Sequence, residues 1–254
     1  MDGVSERGRV RALQVAGVAG LFGVWETAVR AGWVDPLFVP APTAVVRALG
    51  EVGRPALAAL ADTLLKTALA YAIAAGLGIV AGVVIGAVPV LHRTLHPFVI
   101  ALYGIPKILV LPWIVLWLGF GTVPAVAYGA LHGVFPILVL VTGAVRDVDP
   151  HLVTVARAYG ARPWQVHVKV ILPAIVPAVV ASLRLGVVFC LLGVLVVEMF
   201  AGIRGMGHVL ASLANGFRAP ELFAATALVS AASIALVLAL DRLGERLSHW
   251  RGTT

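Results

Sequence analysis

Long apolar stretches alternate with short polar ones along almost the whole chain. Six stretches are long enough to cross the hydrocarbon layer of a membrane, which is roughly 30 Å thick and takes about 20 residues as a helix. They span residues 10–29, 63–91, 97–118, 123–145, 175–200 and 222–240. No clean small-x-small cleavage site follows the first, so we expect a retained helix instead of a removed signal peptide. The pattern predicts an all-α integral membrane protein with six transmembrane helices.

The composition points to the same class. Hydrophobic residues make up 61% of the 254 residues and charged residues 12%, and the mean hydropathy is +1.02. A soluble domain holds about 45–50% apolar and about 25% charged residues. The net charge of +7 does not indicate nucleic-acid binding, because the basic residues cluster at the ends of apolar runs instead of covering one face.

The distribution of basic residues predicts the orientation of the helices, because cytoplasmic loops of membrane proteins are rich in Lys and Arg. One set of loops carries Arg7, Arg9, Arg11, Arg93, Arg146, Arg157, Arg162, Lys169, Arg242, Arg246 and Arg251. The opposite set carries Arg30, Arg47, Arg54, Arg204 and Arg218, with Lys66 near its border. We therefore expect both termini and residues 154–173 to face the cytoplasm.

No long linker or low-complexity tract divides the chain, so we expect one membrane domain. Residues 1–62 would hold an N-terminal tail, the first helix and an external loop, which leads into a short surface helix within 35–51. Residues 63–246 would form a core with five helices, and residues 247–254 a cytoplasmic tail.

Three glycines of the second stretch, Gly78, Gly82 and Gly86, recur every four residues and so share one helix face. Small residues at this spacing let helix backbones approach closely in a membrane. We expect them to pack the second helix against a neighbour.

Two prolines, Pro106 and Pro112, interrupt the third stretch. Each removes a helix hydrogen bond and can kink the helix. Irregular backbone inside a membrane is tolerated where it is buried in protein or lines a polar cavity. Two roles therefore stay open for these prolines, the lining of a translocation pathway and plain packing of the bundle.

Ionisable residues inside apolar stretches are candidate functional residues, because a charge is costly in hydrocarbon. Lys107 could attract an anionic substrate, or it could face a water-filled cavity or a carbonyl for structural reasons. Glu198 could form a structural ion pair or part of an external gate. Together with the two prolines they are the candidate pathway residues. The long side chain of Arg184 can snorkel towards the cytoplasm, which favours a structural role.

The sequence shows no arrangement typical of metal binding or nucleophilic catalysis. His92 and His96 have the spacing of two ligands on one helix face, but no carboxylate or cysteine accompanies them at a suitable distance. The single cysteine, Cys190, lies in an apolar run, cannot form an intrachain disulfide and is expected to pack in the core. We expect no metal and no cofactor.

A basic segment, TVARAYGARPWQVHVKVILP, lies between the fourth and fifth stretches at residues 154–173. Asp149 and Pro150 before it favour the start of a helix, Gly160 permits a tight turn, and Pro163 suits a first helical turn. The spacing predicts two short helices that lie across the membrane face. A solvated amphipathic loop is the alternative.

The same residues resemble the EAA loop of the membrane subunits of bacterial ABC importers. Ala156 and Gly160 match the alanine and the glycine of that loop. The closing residues of the loop match Ile171, Leu172 and Pro173. The similarity extends over residues 40–246 and favours the nitrate, sulfonate and taurine branch of the family. The segments that carry it are VPAPTAVVRAL, IPKILVLPWIVLWLGFG, FPILVLVTGAVRDVD and VVEMFAGIRGMGHVL.

The resemblance implies a type I ABC importer permease fold in the bacterial cytoplasmic (inner) membrane, with a coupling loop over residues 146–173. It implies a homodimer of permeases and two cytoplasmic ABC ATPase subunits. It also implies a periplasmic or lipid-anchored solute-binding protein that delivers a small anionic solute. The chain has no G-x-x-x-x-G-K-[ST] phosphate loop, so we expect a non-catalytic subunit whose partner hydrolyses ATP.

The resemblance also assigns residues to the contact with the ATPase. These are Thr154, Val155, Ala156, Arg157, Ala158, Tyr159, Gly160, Ala161, Arg162 and Gln165, with Leu172 and Pro173 closing the loop. The chain departs from the family where the usual glutamate of the loop falls at Thr154 and its first alanine at Val155. If the family's glutamate makes a charged contact, Arg157, Arg162 and Gln165 are candidates to replace it.

Two other functions remain to be tested against this one. A secondary carrier should show an internal repeat and ion-coupling acids at mid-membrane, and neither is evident in the sequence. A membrane-embedded enzyme needs clustered catalytic side chains within the spans, where Lys107 stands nearly alone.

Overall fold

The computed structural model describes residues 2–248, with side chains described for residues 8–242 and Gly244. These residues form ten α-helices and no strand. The helices are α1 (Asp2–Arg30), α2 (Pro42–Ala87), α3 (Pro89–Gly104), α4 (Leu111–Leu118), α5 (Thr122–Arg146), α6 (Pro150–Ala158), α7 (Pro163–Val166), α8 (Leu172–Ala201), α9 (Met206–Asn215) and α10 (Ala219–Ser248). The all-α prediction is confirmed. Most of the predicted tail 247–254, and the side chains of Arg7, Arg246 and Arg251, lie outside the described residues.

Five helical segments are long and apolar enough to cross a membrane. They are Gly8–Arg30, Pro42–Ala87, Thr122–Arg146, Pro163–Ala201 and Ala219–Arg242. A sixth crossing is present if Pro89–Gly104 and Lys107–Leu118 are counted together, and these two pieces are bent by 87°. The predicted number of six crossings is therefore reached only with the bent pair.

The third predicted stretch, residues 97–118, is broken in the structure, in line with the kink that its prolines predict, and its helix begins earlier, at Pro89. The helix α3 ends at Gly104, the backbone is extended at Ile105 and Pro106, and a 3-10 turn over Lys107–Val110 leads into α4. Pro106 has no backbone N–H, and its ring clashes with the carbonyl one turn earlier in a helix. The break therefore follows from the first of the two prolines.

The second apolar stretch also differs in its boundaries. The helix α2 includes the predicted surface helix and turns sharply at Gly53, whose φ is +40°. It ends at Ala87, and Val88 has an extended backbone before Pro89 opens α3. The residue before a proline is pushed away from helical geometry, so the helix stops where the sequence pattern alone continues.

The helix α5 forms the centre of the bundle and packs most extensively against α2 and α8. On the α2 side, a Cβ atom built on Gly78, Gly82 or Gly86 would lie only 2.7–2.8 Å from the Cβ of a side chain of α5. The side chains met in this way are Ile137, Val141 and Val145. The two backbones lie this close because the three positions carry no side chain.

The helix α5 meets α8 in the same manner, along the neighbouring part of the same stripe of residues. A Cβ atom on Gly129 would lie 2.7 Å from Val194 Cγ2, and one on Gly133 would collide with the sulfur of Cys190. Cys190 is free and fully buried, so it packs in the core as expected. The central helix is thus held against two neighbours by contacts that only glycine allows.

We expect Gly82→Ala to destabilise the fold by about 1–3 kcal/mol, the usual cost of overpacking a filled interior. The new methyl group would lie 2.8 Å from Val141 Cβ and 3.0 Å from the Leu138 carbonyl oxygen. Gly76→Ala on the same helix is the matched control, because its Cβ meets nothing within 4 Å. Thermal inactivation of the purified protein in detergent measures both. Equal midpoints for the two variants would contradict the close contact.

Candidate coupling loop and translocation pathway

The loop between α5 and α8 starts with a capped helix. The carboxylate of Asp149 accepts a hydrogen bond of 2.8 Å from the backbone N–H of His151, and Pro150 occupies the first turn of α6. An acidic cap and a proline at these positions are typical of a helix start. The helix ends at Ala158, and Gly160 follows with a φ of +80°, a geometry that glycine adopts without strain.

A second short helix, α7, follows this turn. The backbone N–H of Arg162 donates a hydrogen bond of 2.7 Å to Oε1 of Gln165, and Pro163 is the first residue of the helix. A π-helical turn over His167–Ile171 then leads directly into α8. The first short helix, the turn at Gly160 and the helix start at Pro163 agree with the prediction, but the second helix runs without a break into α8 instead of ending before it.

One face of α6 packs on the bundle and another is exposed. Val153 and Ala156 pack against the core. Three apolar side chains on the other side of α6 are exposed: Leu152 (49%), Val155 (49%) and Tyr159 (89%). We call these three residues the α6 strip. Their spacing of three and four residues places them on one helix face. Exposed tyrosines are enriched where proteins bind each other.

The polar candidates of the loop divide into two groups. The hydroxyl of Thr154 donates a hydrogen bond of 2.9 Å to the Pro150 carbonyl, and the Gln165 carbonyl oxygen accepts from Arg162. Both side chains therefore make contacts within the loop. Arg157 and Arg162, the other two candidates to replace the family's glutamate, are exposed. Leu172 and Pro173 form the first turn of α8.

Lys107 lies in the bend between α3 and α4, directly after Pro106. Its ammonium donates a hydrogen bond of 3.1 Å to the Tyr103 carbonyl oxygen. It also lies 4.7 Å from the ring centroid of Tyr103 and 5.2 Å from that of Phe135 on α5. A cation at these distances over an aromatic face is attracted by the ring. Pro106, at the bend, is exposed, and Lys107 is partly buried.

A histidine that sequence reasoning missed lies on the same helix as Phe135. His132 is 8% exposed, and its ring packs on that of Tyr128 with centroids 4.5 Å apart. Its Nδ1 has no partner at hydrogen-bond geometry among the described residues, and the Tyr128 carbonyl acts on the imidazole only at weaker geometry. The available signal was an imidazole in the middle of an apolar stretch.

Pro112 lies in the first turn of α4, away from Lys107's contacts. It lines an open, mainly apolar cavity of about 760 Å³ between α4 and the end of α8. Phe120 and Phe200 line the same cavity. The four pathway candidates are therefore not brought together: Pro106 and Lys107 share the bend, Pro112 faces this cavity, and Glu198 lies elsewhere.

Glu198 forms a buried ion pair with Lys66 of α2. The Lys66 ammonium lies 2.9 Å from Glu198 Oε1, and both side chains are almost fully buried. Oε2 of Glu198 accepts hydrogen bonds from the Thr63 hydroxyl at 2.7 Å and from the Gly207 N–H at 3.0 Å. Of the two roles considered, the structure therefore favours the structural ion pair over the gate.

The surroundings of this pair tie α2, α8 and α9 together. Lys66 also pairs with Asp62 at 2.7 Å and donates to the Arg204 carbonyl at 3.3 Å. The Met206 N–H donates to the Thr63 hydroxyl at 2.7 Å. Residues 202–207 thus cover Glu198. A Cβ atom on Gly205, whose φ is +103°, would collide with the carboxylate of Glu198. Sequence reasoning placed Lys66 at a border and missed this role.

Two smaller expectations have structural outcomes. Arg184 forms an ion pair with Asp241 of α10, so its charge is balanced by a neighbouring helix. The rings of His92 and His96 pack with centroids 4.5 Å apart. Within the described residues no group of three His, Cys, Asp or Glu side chains is placed to hold a metal ion.

The sequence profile of a family described as the binding-protein-dependent transport system inner membrane component matches residues 36–251. The chain belongs to this family. It is a membrane-spanning permease subunit of an ABC importer, and the secondary-carrier alternative is set aside.

Relatives along most of the chain support this assignment. The permease is 27% identical over 247 residues to the taurine transport system permease protein of Escherichia coli (strain K12), covering 94% of this chain and 90% of the relative. It is 27% identical over 240 residues to a putative aliphatic sulfonates transport permease protein of Bacillus subtilis (strain 168), covering 92% and 86%. These relatives are transport permeases, in agreement with a non-catalytic subunit in the inner membrane.

A solved structure supports the fold. The permease matches a chain of the MetNI methionine ABC transporter, in an inward-facing conformation, with a TM-score of 0.69. The match covers 78% of this chain and 98% of that chain at 21% identity. The predicted type I ABC importer permease fold is therefore confirmed.

We expect Glu198→Gln to cost on the order of 3 kcal/mol in stability, because removing one partner leaves a buried charge poorly compensated. The double variant Lys66→Met with Glu198→Gln removes both members of the buried pair and leaves only Asp62, whose side chain is 34% exposed, so we expect it to recover part of the loss. Glu51→Gln, at an exposed carboxylate, is the control. Thermal midpoints in detergent compare the four proteins. A double variant less stable than Glu198→Gln would show that the pair itself is not the origin of the effect.

Proposed function

We propose that the permease works as a homodimer that carries a small anionic solute inwards, driven by two cytoplasmic ATPase subunits. A periplasmic or lipid-anchored binding protein would deliver the solute. The observation that carries this proposal is the loop of α6 and α7, which presents an exposed apolar strip next to the end of the central helix α5. ATP hydrolysis falls to the partner subunits.

The α6 strip supports an ATPase docking role for the loop. Exposed apolar side chains rimmed by polar ones mark protein interaction sites. Arg157 and Arg162 supply such a rim and can pair with carboxylates of a partner. On the inner side, Val153 and Ala156 pack against the core, so a push on α6 would be transmitted to the bundle and not absorbed by a loose loop.

The charge distribution supports an orientation with the loop in the cytoplasm. Arg146, Arg157, Arg162 and Lys169 lie at this end of the bundle, and basic loops are retained on the cytoplasmic side. The ion pair of Lys66 and Glu198 would then lie towards the outer side, where the segment 202–207 closes over it. The same rule supports a cytoplasmic position for both termini.

The substrate class is inferred from two kinds of observation. Two relatives along most of the chain are named for taurine and for aliphatic sulfonates, and both solutes carry a sulfonate anion at neutral pH. A relative at 30% identity over 64% of this chain is the riboflavin permease of Chloroflexus aurantiacus, so the family tolerates other solutes. The cationic bend at Lys107 favours the anionic class.

Docking of the ATPase depends on the α6 strip, so we expect Val155→Asp and Tyr159→Asp each to reduce its capture at least about tenfold. An unpaired carboxylate buried in the interface costs well above the 1.4 kcal/mol that corresponds to a factor of ten. The measurement is co-purification of the co-expressed ATPase with the permease in detergent. The control Thr154→Glu restores the residue usual in the family and should keep or strengthen capture. Undiminished capture by both Asp variants would contradict the docking surface.

The orientation is tested by cysteine labelling, because the native Cys190 is fully buried. With Tyr159→Cys, we expect a membrane-impermeant maleimide to react only after cells are broken. The control is Trp33→Cys in the loop between α1 and α2, at a residue that is 82% exposed; it should react in intact cells. Labelling of the Tyr159→Cys protein in intact cells would reverse the orientation.

A further inference from the structure

We infer that Lys107 and His132 form a binding point for the anionic group of the solute, at the bend between α3 and α4 and near the middle of α5. This inference rests on the proposed function, because it treats that bend as part of the route of the solute. Beyond the proposed function, it names His132 as a second binding residue, puts the binding point near the middle of the membrane and gives a chemical reason for the binding of an anion.

The depth follows from the contact with α5. The Lys107 ammonium lies 5.2 Å from the ring centroid of Phe135, and Phe135 is close to the centre of the span Thr122–Arg146. A charge at this depth is costly unless it faces protein, water or a counter-ion. The 87° bend is what brings the lysine there, since it follows directly on the break at Pro106.

The contrast with Lys66 shows that Lys107 is not a structural ion pair. Lys66 is neutralised by two carboxylates, those of Asp62 and Glu198. Among the described residues, no carboxylate pairs with Lys107. Its only hydrogen bond there is to the Tyr103 carbonyl. An ammonium has three N–H donors, so two remain for a ligand, and the positive charge is uncompensated.

Two aromatic rings hold the ammonium without neutralising it. The rings of Tyr103 and Phe135 are stacked with centroids 6.3 Å apart, and the ammonium lies over both. This attraction positions the charge, yet leaves it free to pair with an anion. A weakly held but uncompensated cation suits transport, because a solute must leave the site as readily as it enters.

His132 supplies the second group. It lies one turn from Phe135 on α5, is only 8% exposed, and has an Nδ1 without a partner at hydrogen-bond geometry among the described residues. The Phe135 ring, one turn further along α5, is one of the two rings over which the Lys107 ammonium lies. A buried polar atom without a partner is unfavourable, and the oxygen of a sulfonate or carboxylate would satisfy an imidazole N–H.

Access to the point comes from the bend itself. No residue of α3 is buried in the single chain, and Pro106 is exposed. A Cβ atom built on Gly104, one turn before Lys107, would meet nothing within 4 Å. A reporter side chain at this glycine therefore fits without displacing a neighbour and samples the field around the lysine.

The test uses Gly104→Cys in the purified full-length permease, with two thiol reagents of opposite charge. One is sulfonatoethyl methanethiosulfonate, itself an alkylsulfonate, and the other is the trimethylammonium analogue. The measured quantity is the ratio of the anionic to the cationic reaction rate. A positive charge nearby raises this ratio, so Lys107→Gln should lower it on the order of tenfold. Lys107→Arg keeps the charge and should keep the ratio. The unaltered chain, whose single cysteine, Cys190, is buried, gives the background rate of thiol labelling.

A second arm measures binding with ethanesulfonate as the probe. Ethanesulfonate at millimolar concentration should slow labelling of the Gly104→Cys protein, whereas Lys107→Gln should abolish this protection and His132→Phe should weaken it. Arg93→Gln, which removes an exposed charge from α3, the helix that ends at Gly104, should change neither the rate ratio nor the protection. Equal rate ratios with and without the lysine charge, or no protection by ethanesulfonate, would overturn the inference. Neither readout involves the ATPase, so failure here is distinct from failure of the docking test.

Discussion

The close approach of three helix backbones is the constraint on which the rest of the permease depends. Helices in lipid gain little from hydrophobic burial against each other, so they associate where packing is tight and polar groups are paired. The glycines of α2 and those of α5 create two such contacts, which bring α2 and α8 against one central helix. That helix carries His132 and Phe135 at its middle and leads into the α6 strip at its end. The candidate pathway and the candidate docking surface are therefore connected by one packed element.

Two lysines inside the membrane show how differently a buried charge can be handled. Lys66 is enclosed by carboxylates, a hydroxyl and a backbone turn, and its charge serves to fix the segment 202–207 onto the bundle. Lys107 touches two aromatic rings and one carbonyl. The first arrangement is costly to disturb and is rigid for that reason. The second leaves electrostatic attraction available, which is what the passage of an anion requires.

Local features of the chain were predictable and long-range ones were not. Hydropathy located the spans, the spacing of four located the glycine face, and Asp149, Pro150 and Gly160 located the two short helices of the loop, because each depends on neighbouring residues. The partner of Glu198 lies 132 positions away, and the proposed role of His132 depends on a lysine in the turn between α3 and α4. A periodic pattern in the sequence cannot reveal contacts between residues this far apart. The break at Pro106 is intermediate: proline announced a kink, but the 87° angle depends on how α4 packs.

The π-helical turn over His167–Ile171 has a geometric consequence for the loop. Such a turn accommodates one residue more than an α-helical turn does, and one residue corresponds to about 100° of rotation around a helix axis. Conversion of this turn to α geometry would swing α6 and α7 around the axis of α8 by that angle without breaking the chain. This one turn therefore fixes the direction in which the loop of α6 and α7 leaves the axis of α8.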